Sequence, residues 1–142
     1  MASSIHLDVV SSEEDIFSGE VAFVAALSTE GELGIMPRHA PLLARLQPGE
    51  VRVRMPGGEE QFFFVSGGLL EVQPKAVTIL ADTAVRARDI DEAAAQQAKQ
   101  RAEDALRNRG SEVDYATAQT ELAAAAAQLR ALQNLRKAAG KK

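Results

Sequence analysis

His6 and His39 are the only imidazoles in the chain, and neither has a second ligand at a useful spacing, so no metal site is expected. Ser66 stands before two glycines, but no G-x-S-x-G elbow surrounds it and a serine nucleophile is not expected. Gly67-Gly68 is not a phosphate loop, because neither Lys-Ser/Thr nor a helix start follows. The 20 acids include no pair that spacing singles out for acid–base work. Cysteine is absent, which removes thiol catalysis, disulfides and cysteine-held metals together and fits a reducing compartment. No catalytic residue and no cofactor is expected. What remains is charge pairing. The net charge of −4 argues against a nucleic-acid partner. Arg130, Arg136, Lys137, Lys141 and Lys142 nevertheless form an acid-free basic tail. Such a tail is either simply solvated or meets an acidic protein, and composition alone favours solvation.

These charges must be carried by two kinds of structure, with a seam near Asp89. Before it lie short segments broken by Gly and Pro. Ile5, Leu7 and Val9 alternate with polar residues, the period of a half-buried strand. Val21 to Leu27 is an apolar run expected to form one buried strand, and Thr29-Glu30-Gly31-Glu32 is expected to turn, with Gly31 at positive φ. Val51 to Arg54 and Gln61 to Ser66 flank the reversal Met55-Pro56-Gly57-Gly58. Phe17 is expected to precede a turn. Gly67-Gly68 predicts a bulge or a close backbone approach before Leu69 to Val72, and Val77 to Ala81 follows the turn at Gln73–Ala76. The expected fold class is β + α: a β-sandwich over 1–86, then an antiparallel two-helix hairpin over 87–142.

After the seam no proline remains and Ala dominates. Asp89 is the expected cap and Glu92 its capping-box partner, with a helix running to about Arg109 and stopped by Gly110. Asp114 is expected to start the second helix, which places Tyr115, Ala118, Leu122, Ala125, Leu129 and Leu132 on one seam. The facing stripe would be Ile90, Ala94, Ala98, Ala102, Ala105 and Leu106. Ala favours each helix separately but buries little area between them. Strong helices with a weak interface could undock as an arm or stay as a static surface hairpin. No apolar run approaches the ~20 residues of a membrane span, and the N-terminus lacks the pattern of a signal or transit peptide.

Several ordered motifs carry a resemblance: GELGIMPRHAPLL at Gly31–Leu43, SGGLLEVQP at Ser66–Pro74 and VTILADTA at Val77–Ala84. With HLDVVS from His6 and AQLR ending at Arg130, they make the whole chain resemble the epsilon subunit of the bacterial rotary ATP synthase; the corresponding mitochondrial subunit is also similar. The resemblance implies a non-catalytic coupling and regulatory subunit. Its sandwich would dock on the gamma subunit and rest on the ring of c subunits, with Glu32 and His39 near those contacts. Its helices would lie folded or extend into the alpha/beta catalytic head, where Arg130, Arg136 and Lys137 would meet acidic segments of beta and oppose hydrolysis. That gives the basic tail a partner. The implied location is peripheral, on the cytoplasmic face of the bacterial inner membrane. Some relatives bind ATP through I/L-D-x-x-R-A. Here the stretch is Ile90-Asp91-Glu92-Ala93-Ala94-Ala95, so Asp91 and the later Arg101 match but Ala94 replaces the arginine. Loss of a guanidinium that could fork onto phosphate predicts weak or absent ATP binding. The competing readings are a free-standing adaptor module and a small enzyme.

Overall fold

A computed structural model describes residues 3–108 and 112–140. Ten strands come first among these: β1 (Ile5–Ser11), β2 (Asp15–Val21), β3 (Phe23–Ser28), β4 (Gly31–Ile35), β5 (Leu42–Leu46), β6 (Gly49–Arg54), β7 (Glu60–Val65), β8 (Gly68–Gln73), β9 (Ala76–Ala81) and β10 (Ala84–Arg86). A 3-10 turn (Ala87–Asp89) leads to α1 (Glu92–Arg107) and α2 (Glu112–Gly140).

The hydrogen-bonded strand path is β10-β7-β6-β3-β5-β8-β9-β1-β2, with β4 on β3. Its pairs are antiparallel except β1 with β9. The path closes over itself as a sandwich. Phe17 on β2, at one end of the path, meets Phe63 on β7, near the other, edge to face at 5.7 Å between ring centroids. The Arg86 guanidinium donates to the Ile16 carbonyl at 2.7 Å across the same closure. Alternation supplies the core: Ile5, Leu7 and Val9 from β1, Val51 and Val53 from β6, Leu70 and Val72 from β8, and Val77 and Ile79 from β9 are wholly buried.

The expected strands at Ile5–Val9, Val51–Arg54, Gln61–Ser66, Leu69–Val72 and Val77–Ala81 are present within a residue or two. Val21 to Leu27 is not one strand. Val21 pairs with Ile5 on β1, Phe23 pairs with Arg54 on β6, and the Ala22 N–H donates to the Arg54 carbonyl at 2.7 Å. The apolar run crosses from one partner to another, and hydropathy has no mark for a change of partner. Phe17 sits inside β2 and is buried, not before a turn. Gly31 has φ 124° as expected, but Glu32 lies on β4 opposite Leu27, outside the turn at Thr29–Glu30. Gly68 is a close approach: a Cβ there would stand 2.1 Å from the Leu80 carbonyl oxygen.

The helices also depart in detail. Asp89 belongs to the 3-10 turn, and Asp91 is the cap, its carboxylate accepting the Ala94 N–H at 3.1 Å. α1 ends at Arg107; Gly110 lies outside the described residues, and α2 starts two residues before Asp114. On α1 the buried residues are Ala95 and Ala102, with Ala98, Lys99 and Leu106 half-buried, whereas Ala94 and Ala105 face outward. Each four-residue step advances about 40° around a helix, so the expected stripe could not stay on one face. Ile90 precedes the helix and packs against the sandwich-side cluster. The α2 seam is as expected: Ala118, Ala125 and Leu132 are buried, and Tyr115, Leu122 and Leu129 half-buried.

Candidate functional site

α2 uses a second stripe as well. Ala127 and Ala131 are buried, and Ala131 joins Phe62 of β7 and Ala87 of the 3-10 turn in a small cluster edged by Ile90, Leu135 and Ala138. This cluster is separate from the sandwich core. The hairpin therefore lies folded on β6 and β7, attached by one aromatic ring, two larger aliphatic side chains and several alanines. Beside it the Asn134 amide donates to both carboxylate oxygens of Glu50, at 3.0 and 2.8 Å. Burial pushes the Glu50 carboxyl above the ordinary glutamate range, opposed by the Asn134 hydrogen bonds and by the nearby Arg130 and Arg52 charges.

A groove of about 370 Å³ runs between the helices, lined by Glu92, Gln96, Lys99, Arg130, Gln133 and Arg136 among others. Glu92, in the first turn of α1, takes the Arg136 guanidinium near the end of α2. Nη1 donates to Oε1 at 3.2 Å and Nη2 donates to Oε2. The pair brings the two ends together, so the helices are antiparallel, and its hydrogen bonding and charge hold the Glu92 carboxyl below its usual value. Of the basic residues read from the sequence, Arg130 and Arg136 share this groove, while Lys137 is exposed beside it. Asp91 and Arg101 do not line it. Asp91 is spent on the cap, and Arg101 is exposed about 15 Å further along α1. Lys99, Gln96 and Gln133 were missed by sequence reading; the only signal was their helical phase relative to the basic tail.

Glu32 and His39 do not form one site. Glu32 is exposed at the start of β4, where it lines a cleft of about 180 Å³ with Glu50, Arg52 and Arg130. His39 lies beyond the other end of β4, its Nδ1 2.7 Å from the Ala40 carbonyl oxygen, with Met36 exposed nearby. A larger apolar surface went unnoticed in the sequence. Leu69 on β8 stands directly opposite Leu80 on β9, Leu43 on β5 is diagonal to Leu69, and the three are 41%, 50% and 68% exposed. Exposed leucines at alternate, outward positions of neighbouring strands make a contiguous patch, the usual mark of a contact surface. His6 is likewise not isolated: Nδ1 lies 3.1 Å from Glu20, its cross-strand neighbour, and Nε2 lies 3.2 Å from Asp8, raising the imidazole pKa. Among the described residues no group of acids and histidines could hold a metal ion, and no helix is long and apolar enough to cross a membrane.

Two sequence models of one family match consecutive parts of the chain: the beta-sandwich domain of the ATP synthase delta/epsilon chain over residues 4–87, and its long alpha-helix domain over 88–133. The ATP synthase epsilon chain of Nitrosococcus oceani is 62% identical over 140 residues, covering 99% of this chain and all of that one. That of Halorhodospira halophila is 61% identical over 138 residues, covering 96% and 98%. A chain in the Euglena gracilis mitochondrial ATP synthase structure containing OSCP, F1 and the c-ring superposes with a TM-score of 0.81 at 26% identity, covering 91% of this chain and 81% of that one. A chain of the Tetrahymena thermophila central stalk and c-ring shares the fold, with a TM-score of 0.65 at 14% identity over 92% and 97%. With both halves matched in order, the chain belongs to the ATP synthase delta/epsilon chain family.

Proposed function

We propose that this chain is a rotor subunit of a bacterial ATP synthase, bound at the central stalk between the gamma subunit and the c-ring, and that it performs no catalysis itself. The division of labour falls at residues 86 and 87. The sandwich attaches to the rotor: the Leu43–Leu69–Leu80 face takes an apolar surface of gamma, while Glu32 faces the polar loops of the ring and His39 lies near the gamma and ring contacts. The helical half regulates. When extended, it presents Arg130, Arg136 and Lys137 to acidic segments of the beta subunits and opposes hydrolysis. The complex puts the chain on the cytoplasmic face of the inner membrane, as a peripheral subunit.

The observation that carries the regulatory reading is the attachment of α2. Its cluster of Phe62, Ala87 and Ala131 is small and separate from the sandwich core. Two well-formed helices on a thin interface can leave the sandwich, and part from each other, without unfolding either helix. Truncation after Arg88 in the reconstituted enzyme tests this. ATP hydrolysis rises if the arm inhibits; unchanged hydrolysis refutes inhibition, and loss of co-purification with gamma on Leu69→Asp tests the docking face separately. For nucleotide, Ala94 in place of the arginine and the use of the Asp91 carboxylate as the α1 cap support weak or absent ATP binding. Calorimetric titration of the full chain giving micromolar affinity refutes that.

A further inference from the structure

The Arg136–Glu92 pair has a place in the fold that suggests more than a surface contact. The residues are 44 positions apart, and the pair ties the end of α2 to the first turn of α1, at the end of the hairpin opposite the α1–α2 connection. The guanidinium is engaged by its two terminal nitrogens on both oxygens of one carboxylate, the planar two-point match that arginine makes with acids. Glu92 is the single acid among the residues lining the groove, against Lys99, Arg130 and Arg136. It is held there twice, by Arg136 and by the positive end of α1, which favours an acid in the first turn. A carboxylate built into a cationic groove is chemically what an acidic partner would supply from outside.

We infer that Glu92 is an internal competitor for Arg136. In the folded arm it fills the terminal edge of the guanidinium, so a carboxylate on a partner protein gains that edge only after the ends of α1 and α2 separate. Opening and acid binding at that edge are then one coupled event: closure occupies it, and an acidic partner favours the open hairpin by mass action. Because Glu92 stays in the first turn of α1, the competing site is preserved while α2 is away and recaptures Arg136 on return. The inference rests on the reading of the helical half as a mobile inhibitor of the catalytic head.

The chain has no cysteine, so paired labels on Gln97→Cys and Ala139→Cys, both at exposed positions, report hairpin closure cleanly in the full chain. Glu92→Gln and Arg136→Gln each lower the closed population a few-fold and by similar factors, and the swap Glu92→Arg with Arg136→Glu restores it. If neither single change opens the hairpin, the inference is overturned. It is overturned as well if only Glu92→Gln does, since that assigns the effect to the α1 terminus. In the assembled ATP synthase, Glu92→Gln deepens inhibition of hydrolysis, whereas the swap, closed but with an acidic α2 end, relieves it. Unchanged inhibition in Glu92→Gln overturns the competition. Truncation after Arg88 is the control: if it too leaves hydrolysis unchanged, the inhibitor reading has failed, and the distance measurements still decide the clasp.

Discussion

Ala131→Leu separates docking of the arm from stability of the sandwich. Ala131 is wholly buried against Phe62 and Ala87, in a cluster distinct from the sandwich core. Leucine adds three carbons at a position wholly enclosed between α2 and β7. Overpacking of this kind costs about 1–3 kcal/mol. A core residue would pass that cost to global stability. Here α2 can avoid it by leaving the surface, so the cost falls on the docking equilibrium. At 1.4 kcal/mol per factor of ten, the docked-to-undocked ratio falls roughly fivefold to a hundredfold. Native-state hydrogen exchange reads this directly. Protection of α2 amides drops by that factor, while β1, β8 and β9 keep theirs, because their pairing and core contacts are untouched. A fluorescent apolar dye gains a site as Phe62 is uncovered. In the assembled enzyme, hydrolysis becomes more strongly inhibited. If α2 keeps its protection while β1, β8 and β9 lose theirs together with thermal stability, the small cluster belongs to the sandwich core and the arm is not separable. Wild-type exchange throughout refutes it too, by showing that the interface has slack for a leucine.

Gly68→Ala tests the closest backbone approach in the sandwich: φ is 140°, and the new Cβ would meet the Leu80 carbonyl oxygen at 2.1 Å. Backbone strain and the shift of β8 from β9 together cost about 3 kcal/mol or more, seen as a fall in Tm on the order of 10–20 °C; a loss of only a few degrees refutes it. Glu50 sets a pH dependence on stability. Burial in the folded chain raises its carboxyl pKa, against the Asn134 hydrogen bonds and the Arg130 charge that α2 brings, so folding is favoured with Glu50 protonated. That contribution is full below the ordinary glutamate value and is lost as pH rises through the raised one. Stability measured across the acidic range should carry a component of this sign that is lost in Glu50→Gln; the same pH profile in Glu50→Gln contradicts it. Asp91→Ala removes the α1 cap that accepts the Ala94 N–H and costs about 1 kcal/mol of helix stability; exchange confined to the first turn of α1 should accelerate, and unaltered rates there refute the assignment.

The strands were legible where one layer buries one face, because alternation then repeats every two residues. Ile5-Leu7-Val9 and Val51-Val53 are such cases. Legibility failed where the chain changes partner. Ala22 carries no polar break, yet the strand pairing passes there from β1 to β6. It failed again for short strands such as β4 and β5, whose exposed glycines and leucines do not alternate as a solvated face should. Leu43, Leu69 and Leu80 look like core in one dimension; only the register of β5, β8 and β9 turns them outward and groups them. A face reserved for a partner violates the inside-outside rule and is therefore misread by any scheme that assumes the rule.

The helical half shows the opposite limit. Composition indicated a weak interface, and the geometry explains why weakness is compatible with a defined folded position. Alanines at Ala95, Ala102, Ala125 and Ala131 let backbones approach but add little buried area apiece. Position is fixed instead by directional contacts at the α2 end, Asn134 on Glu50 and Arg136 on Glu92. Neither pairing could be read from spacing, since the partners are 84 and 44 residues apart. Exposed ion pairs contribute little to stability, but they are selective about geometry. The proposed brake needs both properties of such an attachment: directional contacts that define one resting place, and a small buried area that modest differences in contact energy can offset.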